Sequence, residues 1–197
     1  MYIIGASGHG KVIAEIAESN AIHLDGFVDS DPEKVELLGY PVFNIVPENS
    51  DIIIAVGNNR IRKQIASSCV NSTFNTLFHQ FATISSRANL DVGTVVMAGA
   101  TVNVHARIGM HCIINTNASV DHDCVLGDFV HISPNVALAG NVYIGEGTHI
   151  GIGACVIQGI KIGKWCTVGA GAVIIKDIPD GCTVVGNPGR IINKIKS

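Results

Sequence analysis

The sequence predicts a small Rossmann-like α/β domain followed by a parallel β-helix. Three observations carry that prediction. A branched aliphatic residue recurs every sixth position from Ile84 to Ile174. Glycine, asparagine and aspartate gather at the positions just after it. Ahead of this repeat, residues 1 to about 78 alternate strand, helix and strand patterns.

The period is decisive. Stepping by six meets Ile84, Leu90, Val96, Val102, Ile108, Ile114, Val120, Leu126, Ile132, Leu138, Ile144, Ile150, Val156, Ile162, Val168 and Ile174, all sixteen of them Leu, Ile or Val. If such residues fill roughly a quarter of positions, chance produces this series less than about once in a billion. Four positions further on stand small or β-branched residues, among them Ala100, Cys112, Ala118, Cys124, Ala154, Cys166 and Ala172. Six residues are too few for a helical hairpin or a propeller blade. They suit a short strand and a tight corner, three of which make an 18-residue coil. The aliphatic side chain points into the prism and the small one fills the space beside it. Corners are expected directly after the aliphatic, at Gly109, Asn115, Asp121, Gly127, Gly145, Gly151, Gly163 and Gly169, residue types that tolerate positive φ. The run predicts about five coils.

The N-terminal elements follow the α/β pattern. Tyr2-Ile3-Ile4 leads into Gly5-Ala6-Ser7-Gly8-His9-Gly10 and then a helical pattern through Val12, Ile13, Ile16 and Ala17. A second strand ends at Phe27-Val28-Asp29, and a third, Asp51 to Val56, ends in Gly57-Asn58-Asn59 before a helix from Ile61 to Ser67. Parallel sheets bind ligands beyond the carboxyl ends of their strands, where the Gly-rich turn, Asp29 and Gly57 converge. The glycine spacing is G-x-x-G-x-G rather than the dinucleotide G-x-G-x-x-G, so a bare turn and a phosphate cradle fit the spacing equally. The division expected is 1–78 for this domain, 79–180 for the β-helix and 181–197 for a C-terminal tail.

Composition narrows the partners. Net charge is −3 and no Lys/Arg cluster occurs, which argues against nucleic acid. No apolar run approaches the roughly 20 residues of a membrane span. The N-terminus lacks the charged and apolar regions of a signal peptide, so a cytoplasmic location is expected. The six cysteines include no CxxC and read as reduced thiols, with Cys112, Cys124 and Cys166 at inward positions.

In combination, the Gly5–Gly10 motif, Ala55-Val56-Gly57-Asn58-Asn59, the pair His122-Asp123 and the closing Gly186-Asn187-Pro188 resemble the bacterial nucleotide-amino-sugar acetyltransferases. The resemblance covers essentially the whole chain. It is strongest to the branch acting on UDP-4-amino-4,6-dideoxy sugars, with sialic-acid O-acetyltransferases and perosamine N-acetyltransferases as relatives. It implies a left-handed β-helix of hexapeptide repeats, a homotrimer, acetyl-CoA as co-substrate without a metal, and a nucleotide-activated amino sugar on the N-terminal domain. Carried over by position, His122 resembles the general base and Asp123 the carboxylate that raises its basicity, one methylene shorter than the Glu of the branch. Ser7, Gly8, His9, Asp29, Ser30, Gly57 and Asn115 resemble substrate contacts. His131, Ile152 and Ala170 resemble acetyl-CoA contacts.

Residue chemistry agrees with this much. An imidazole titrates near working pH, and a neighbouring carboxylate fixes its tautomer and favours its protonated form. His122 follows Val120 by two places, at a corner, so it projects outward. His105 and His111 read as solvated corner residues. His131 and His149, 18 apart, stack on one face. Ile152 and Ala170 share one corner column and His122 belongs to the next, which gives a geometric reason for a trimer in which a neighbouring subunit brings the two edges together. Two readings of a different class stay open: a γ-carbonic-anhydrase-like zinc enzyme using His105, His111 and His122, and a non-catalytic sugar-nucleotide sensor.

Overall fold

The computed structural model describes residues 1–194. In the N-terminal domain, strand β1 (Tyr2–Ile4) leads into helix α1 (Gly8–Ser19), then β2 (Gly26–Val28). A hairpin of β3 (Glu36–Leu37) and β4 (Tyr40–Phe43) follows, then β5 (Asp51–Ile54), α2 (Asn59–Ser68) and β6 (Thr73–Phe74). The sheet order is β3-β4-β2-β1-β5-β6. β1 lies between β2 and β5, parallel to both, so the chain switches direction across the sheet at its carboxyl end. Gly5, Asp29 and Gly57 therefore meet on one edge. Gly10 has a steric reason: a side chain there would overlap Gly5 O, where α1 presses on the turn.

From Leu77 onward the chain is a parallel solenoid of two-residue rungs. One face stacks Leu77–Phe78, Val95–Val96, Ile113–Ile114, His131–Ile132, His149–Ile150 and Thr167–Val168. A second stacks rungs from Thr83–Ile84 to Val173–Ile174, and a third from Asn89–Leu90 to Lys161–Ile162. Up to Ile174 each rung pairs with the one 18 residues on; in the last coil the offset shortens to 16, with Thr167 opposite Thr183 and Ile162 opposite Ile178. The hexad aliphatics and their small partners form one continuous core from Val96 to Val184. The solenoid begins one rung before Ile84, because Phe78 occupies the aliphatic position as an aromatic. Beyond Ile178, Cys182–Val185 extends the first face and pairs antiparallel with Arg190–Lys194.

The corners differ from expectation in their cause. Positive φ falls three places after the aliphatic, at His105 (+61°), His111 (+54°), Asn117, Asp123 (+60°), Phe129, Asn135, Asn141 and Trp165 (+53°). The glycines one place after it are there for close approach: a Cβ on Gly127 would stand 2.8 Å from Glu146 N in the next coil. Ile132 is fully buried in the middle of the prism. Ile132→Asp places an unpaired carboxylate there, at a cost of several kcal/mol. The variant is expected to lose its cooperative thermal transition by circular dichroism. A melting curve superimposable on the parent's overturns this placement.

The N-terminal domain sits on the first face. Val95, Met97 and Ile113 belong to the same buried cluster as Ile3, Ile13, Phe27 and Ile53. The junction is also polar, and Arg62 of α2 holds it. Only 1% exposed, its Nε donates to His111 O (2.8 Å) and its Nη2 to Phe129 O (2.8 Å) on the solenoid. Nη1 donates to Val56 O (2.8 Å) and Nη2 to Asn59 Oδ1 (2.8 Å) on its own domain. A buried guanidinium satisfied this way remains charged, although burial lowers its pKa to about 10. Asn59 adds donations to Gly147 O and Thr148 O.

Candidate active site

His122 and Asp123 occupy the corner between the second and third faces. Asp123 adopts the left-handed conformation, which turns its side chain back beside the preceding residue. His122 Nδ1 lies 2.8 Å from Asp123 Oδ2. A carboxylate only accepts, so Nδ1 carries the hydrogen and the neutral ring presents Nε2 as its free base atom. The shorter aspartate arm still reaches. The bond to Asp123 raises the His122 pKa, and the Asp121 carboxylate, which accepts the His122 backbone N–H at 2.7 Å, raises it further. The imidazole is about half exposed and free to meet a ligand. Its ring lies over Gly140, the residue 18 places on, where a Cβ would come within 2.5 Å of both Cε1 and Nε2. Sequence reasoning missed Gly140. The signal was present, since it shares the corner column of His122.

Asp29 and the Gly-rich turn lie together at the carboxyl edge of the sheet. The Asp29 carboxylate accepts Ala6 N–H (2.9 Å), Asp31 N–H (3.1 Å) and the Lys34 ammonium (2.8 Å). Burial raises its pKa, but these three hydrogen bonds outweigh that and hold it below the usual value. Asp29 thus braces the Gly-rich turn from across the sheet. Ser7 caps α1 in extended conformation with no side-chain capping bond, and α1 has no acid in its first turn. Its hydroxyl and the first N–H groups of the helix suit a phosphate. Asp29 and Ser30 line a cleft of about 460 Å³ with Gly5, Asn44, Val56 and Ile65. Ser7 and Gly8 are exposed on the turn that follows Gly5.

His9, Gly57, Asn115 and His131 form a second group, between the two domains. His131 Nδ1 lies 3.4 Å from Gly57 O and its Nε2 lies 3.2 Å from Asn115 Nδ2. It stacks on His149 with centroids 4.7 Å apart and planes 6° from parallel. Burial lowers the His131 pKa to about 3, helped by His149 and Arg62. Burial likewise lowers His9 to about 4, with Arg62 adding to it, and its buried Nε2 has no hydrogen-bond partner among the described residues. Both rings are neutral at working pH. His131 is therefore placed beside Gly57 and Asn115. Ile152 and Ala170 stand apart from it, exposed on the corner between the first and second faces.

The remaining histidines separate. His105 lies on the same corner as His122. His111 is buried on another corner, stacked on Phe129 (5.1 Å) and edge-on to Phe74 (4.6 Å), not solvated. The structure does not bring His105, His111 and His122 together as a ligand set, and no group of three or more potential metal ligands occurs among the described residues. Cys112, Cys124 and Cys166 are buried, and burial pushes the Cys112 thiol up to about 12. No helix among the described residues is long and apolar enough to cross a membrane.

Comparison with known proteins agrees with this architecture. Residues 1–69 match the model of the PglD N-terminal domain, and residues 141–176 match the bacterial transferase hexapeptide (six repeats). The acetyltransferase domain of PglB from Neisseria gonorrhoeae FA1090 is 44% identical, covering 97% of this chain and 98% of that one, with a TM-score of 0.91. The chain belongs to the hexapeptide-repeat acetyltransferases with a PglD-type N-terminal domain. PerB from Caulobacter crescentus, solved in complex with CoA and GDP-perosamine, is 36% identical over 98% of this chain and 96% of that one, TM-score 0.92. UDP-N-acetylbacillosamine N-acetyltransferase from Bacillus subtilis (strain 168) is 42% identical over 109 residues, 49% of this chain. That match spans half the length of the curated relative. The PglD-type family also accounts for the hand of the solenoid, a left-handed β-helix.

Proposed function

We propose that the protein is an acetyl-CoA-dependent N-acetyltransferase acting on the amino group of a nucleotide-linked 4-amino-4,6-dideoxy sugar, most readily a UDP-sugar, for surface glycan or glycoprotein synthesis. The observation that carries this is the near-complete match to the PglB acetyltransferase domain, which has also been solved in complex with acetyl coenzyme A. The site has the chemistry for it. Acetyl transfer from a thioester to an amine needs a neutral nucleophile and a proton acceptor, and His122 Nε2 is that acceptor. Asp123 and Asp121 stabilise the imidazolium that forms. In this reading the amine attacks the thioester directly, and the buried thiols of Cys112, Cys124 and Cys166 take no part.

The sugar nucleotide binds the N-terminal domain through Ser7, Gly8, His9, Asp29, Ser30 and Gly57, with its sugar toward Asn115. Acetyl-CoA runs along His131, Ile152 and Ala170. His122 lies on a different corner from Ile152 and Ala170, so a neighbouring chain supplies one of the two, which supports a homotrimer. A cytoplasmic location belongs to the same reading. The match to PerB favours a second reading, a GDP-linked amino sugar. Assaying UDP-, GDP- and dTDP-linked 4-amino sugars with acetyl-CoA, by thiol release, tests both. Turnover is expected on the UDP sugar. Turnover confined to a GDP sugar selects the second reading, and acetylation of sugar hydroxyls alone, or no turnover at all, overturns both.

A further inference from the structure

His105 and Asp123 occupy equivalent turn positions on successive coils, both in the left-handed conformation, so their side chains project side by side. The Asp123 carboxylate is consequently divided between two imidazoles. Oδ2 faces His122 Nδ1 at 2.8 Å, and Oδ1 faces His105 Nδ1 at 3.7 Å. Both rings are more than half exposed, so both are open to solvent.

We propose that His105 is a positioning residue that sets the basicity of His122 through their shared carboxylate. When His105 is neutral, Asp123 acts on His122 alone. When His105 takes a proton, its cation draws on the same carboxylate and also repels a proton on His122. The base thus stays unprotonated to lower pH than Asp123 alone would allow, and the acid limb of the reaction is broadened. The other charged group facing His122 is Asp121, whose Oδ1 accepts the His122 N–H and Asn103 Nδ2. Gly140 beneath the ring brings no charge. Among the described residues, Asp123 is the one ion-pair partner of His105.

The inference rests on His122 being the base, and the test separates the two. Histidine side-chain NMR titration of the full chain reads the His122 midpoint without any substrate. His105→Gln removes the competing charge at every pH, and the His122 midpoint is expected to rise by about 0.5–1 pH unit and sharpen. His105→Arg fixes the charge, and the midpoint is expected to fall by a similar amount. In an Asp123→Asn background the His105→Gln shift is expected to shrink below half its size. High salt is expected to weaken it, as for any exposed pair. An unmoved midpoint in both His105 variants overturns the coupling, as does a full-sized shift without Asp123. The kcat/KM acid limb is expected to follow the NMR midpoint, with the Gln variant converging on the parent at high pH. A limb that stays put while the midpoint moves overturns the base role of His122 and leaves the coupling standing.

Discussion

His122→Ala is expected to lower kcat/KM for the accepted amino sugar by about 10²–10⁴, the usual cost of removing a general base. Acetyl-CoA affinity is expected to hold, because the coenzyme contacts proposed above are His131, Ile152 and Ala170 and do not include His122. Asp123→Asn is expected to do less, since the imidazole persists and loses only its orientation and added basicity. The direction of the pH dependence follows from the site. A free His122 would titrate near 6.5, and Asp123 with Asp121 raise it. Activity is therefore expected to rise with pH through a midpoint above 6.5 and then level off, and Asp123→Asn is expected to lower that midpoint. Full activity in His122→Ala, or accumulation of an acetylated cysteine, overturns the mechanism. The first result would shift attention to His9, the histidine of the N-terminal motif.

The division between what the sequence showed and what it hid has a physical basis. The solenoid was legible because each coil repeats the same inward environment, so Ile132 and its equivalents obey one rule at one spacing. The first rung was hidden because Phe78 meets that rule with an aromatic. The corner residues misled because glycine serves two needs. At Gly127 it admits neighbouring backbone, whereas the left-handed turn falls two places later and tolerates His105, Phe129 and Trp165. That tolerance comes from the stacked coils, which fix the turn whatever side chain it carries. His122 and Asp123 were legible because they are adjacent in the chain. Arg62 was not, since α2 buries the polar Asn59 and Arg62 while leaving Ile61 about half exposed. The acceptors that reward this, His111 O and Phe129 O, lie 49 and 67 residues away. No local reading of the helix contains them.

Gly140→Ala is expected to reduce kcat/KM by about 10² while leaving the fold intact. Gly140 is buried, but its φ lies outside the left-handed range, so alanine fits its backbone. The new methyl instead meets the His122 ring at 2.5 Å from Cε1 and Nε2, well inside van der Waals contact. The ring is half exposed and can swing outward, so the strain is relieved by moving the base rather than the coil. This differs from Gly127, where the atoms in the way are backbone of the next coil and cannot give. A displacement of about 1 Å at a catalytic group costs about 10² in rate. As the ring leaves Asp123, the His122 midpoint is also expected to fall toward 6.5, because the hydrogen bond that raises it is lost. Thermal melting tests the fold, kcat/KM the chemistry, and histidine NMR the ring's attachment to Asp123. A variant with parental kcat/KM and an unchanged His122 midpoint shows that the ring does not rest on Gly140. A variant that has lost its cooperative melting transition shows that the glycine serves the coil instead.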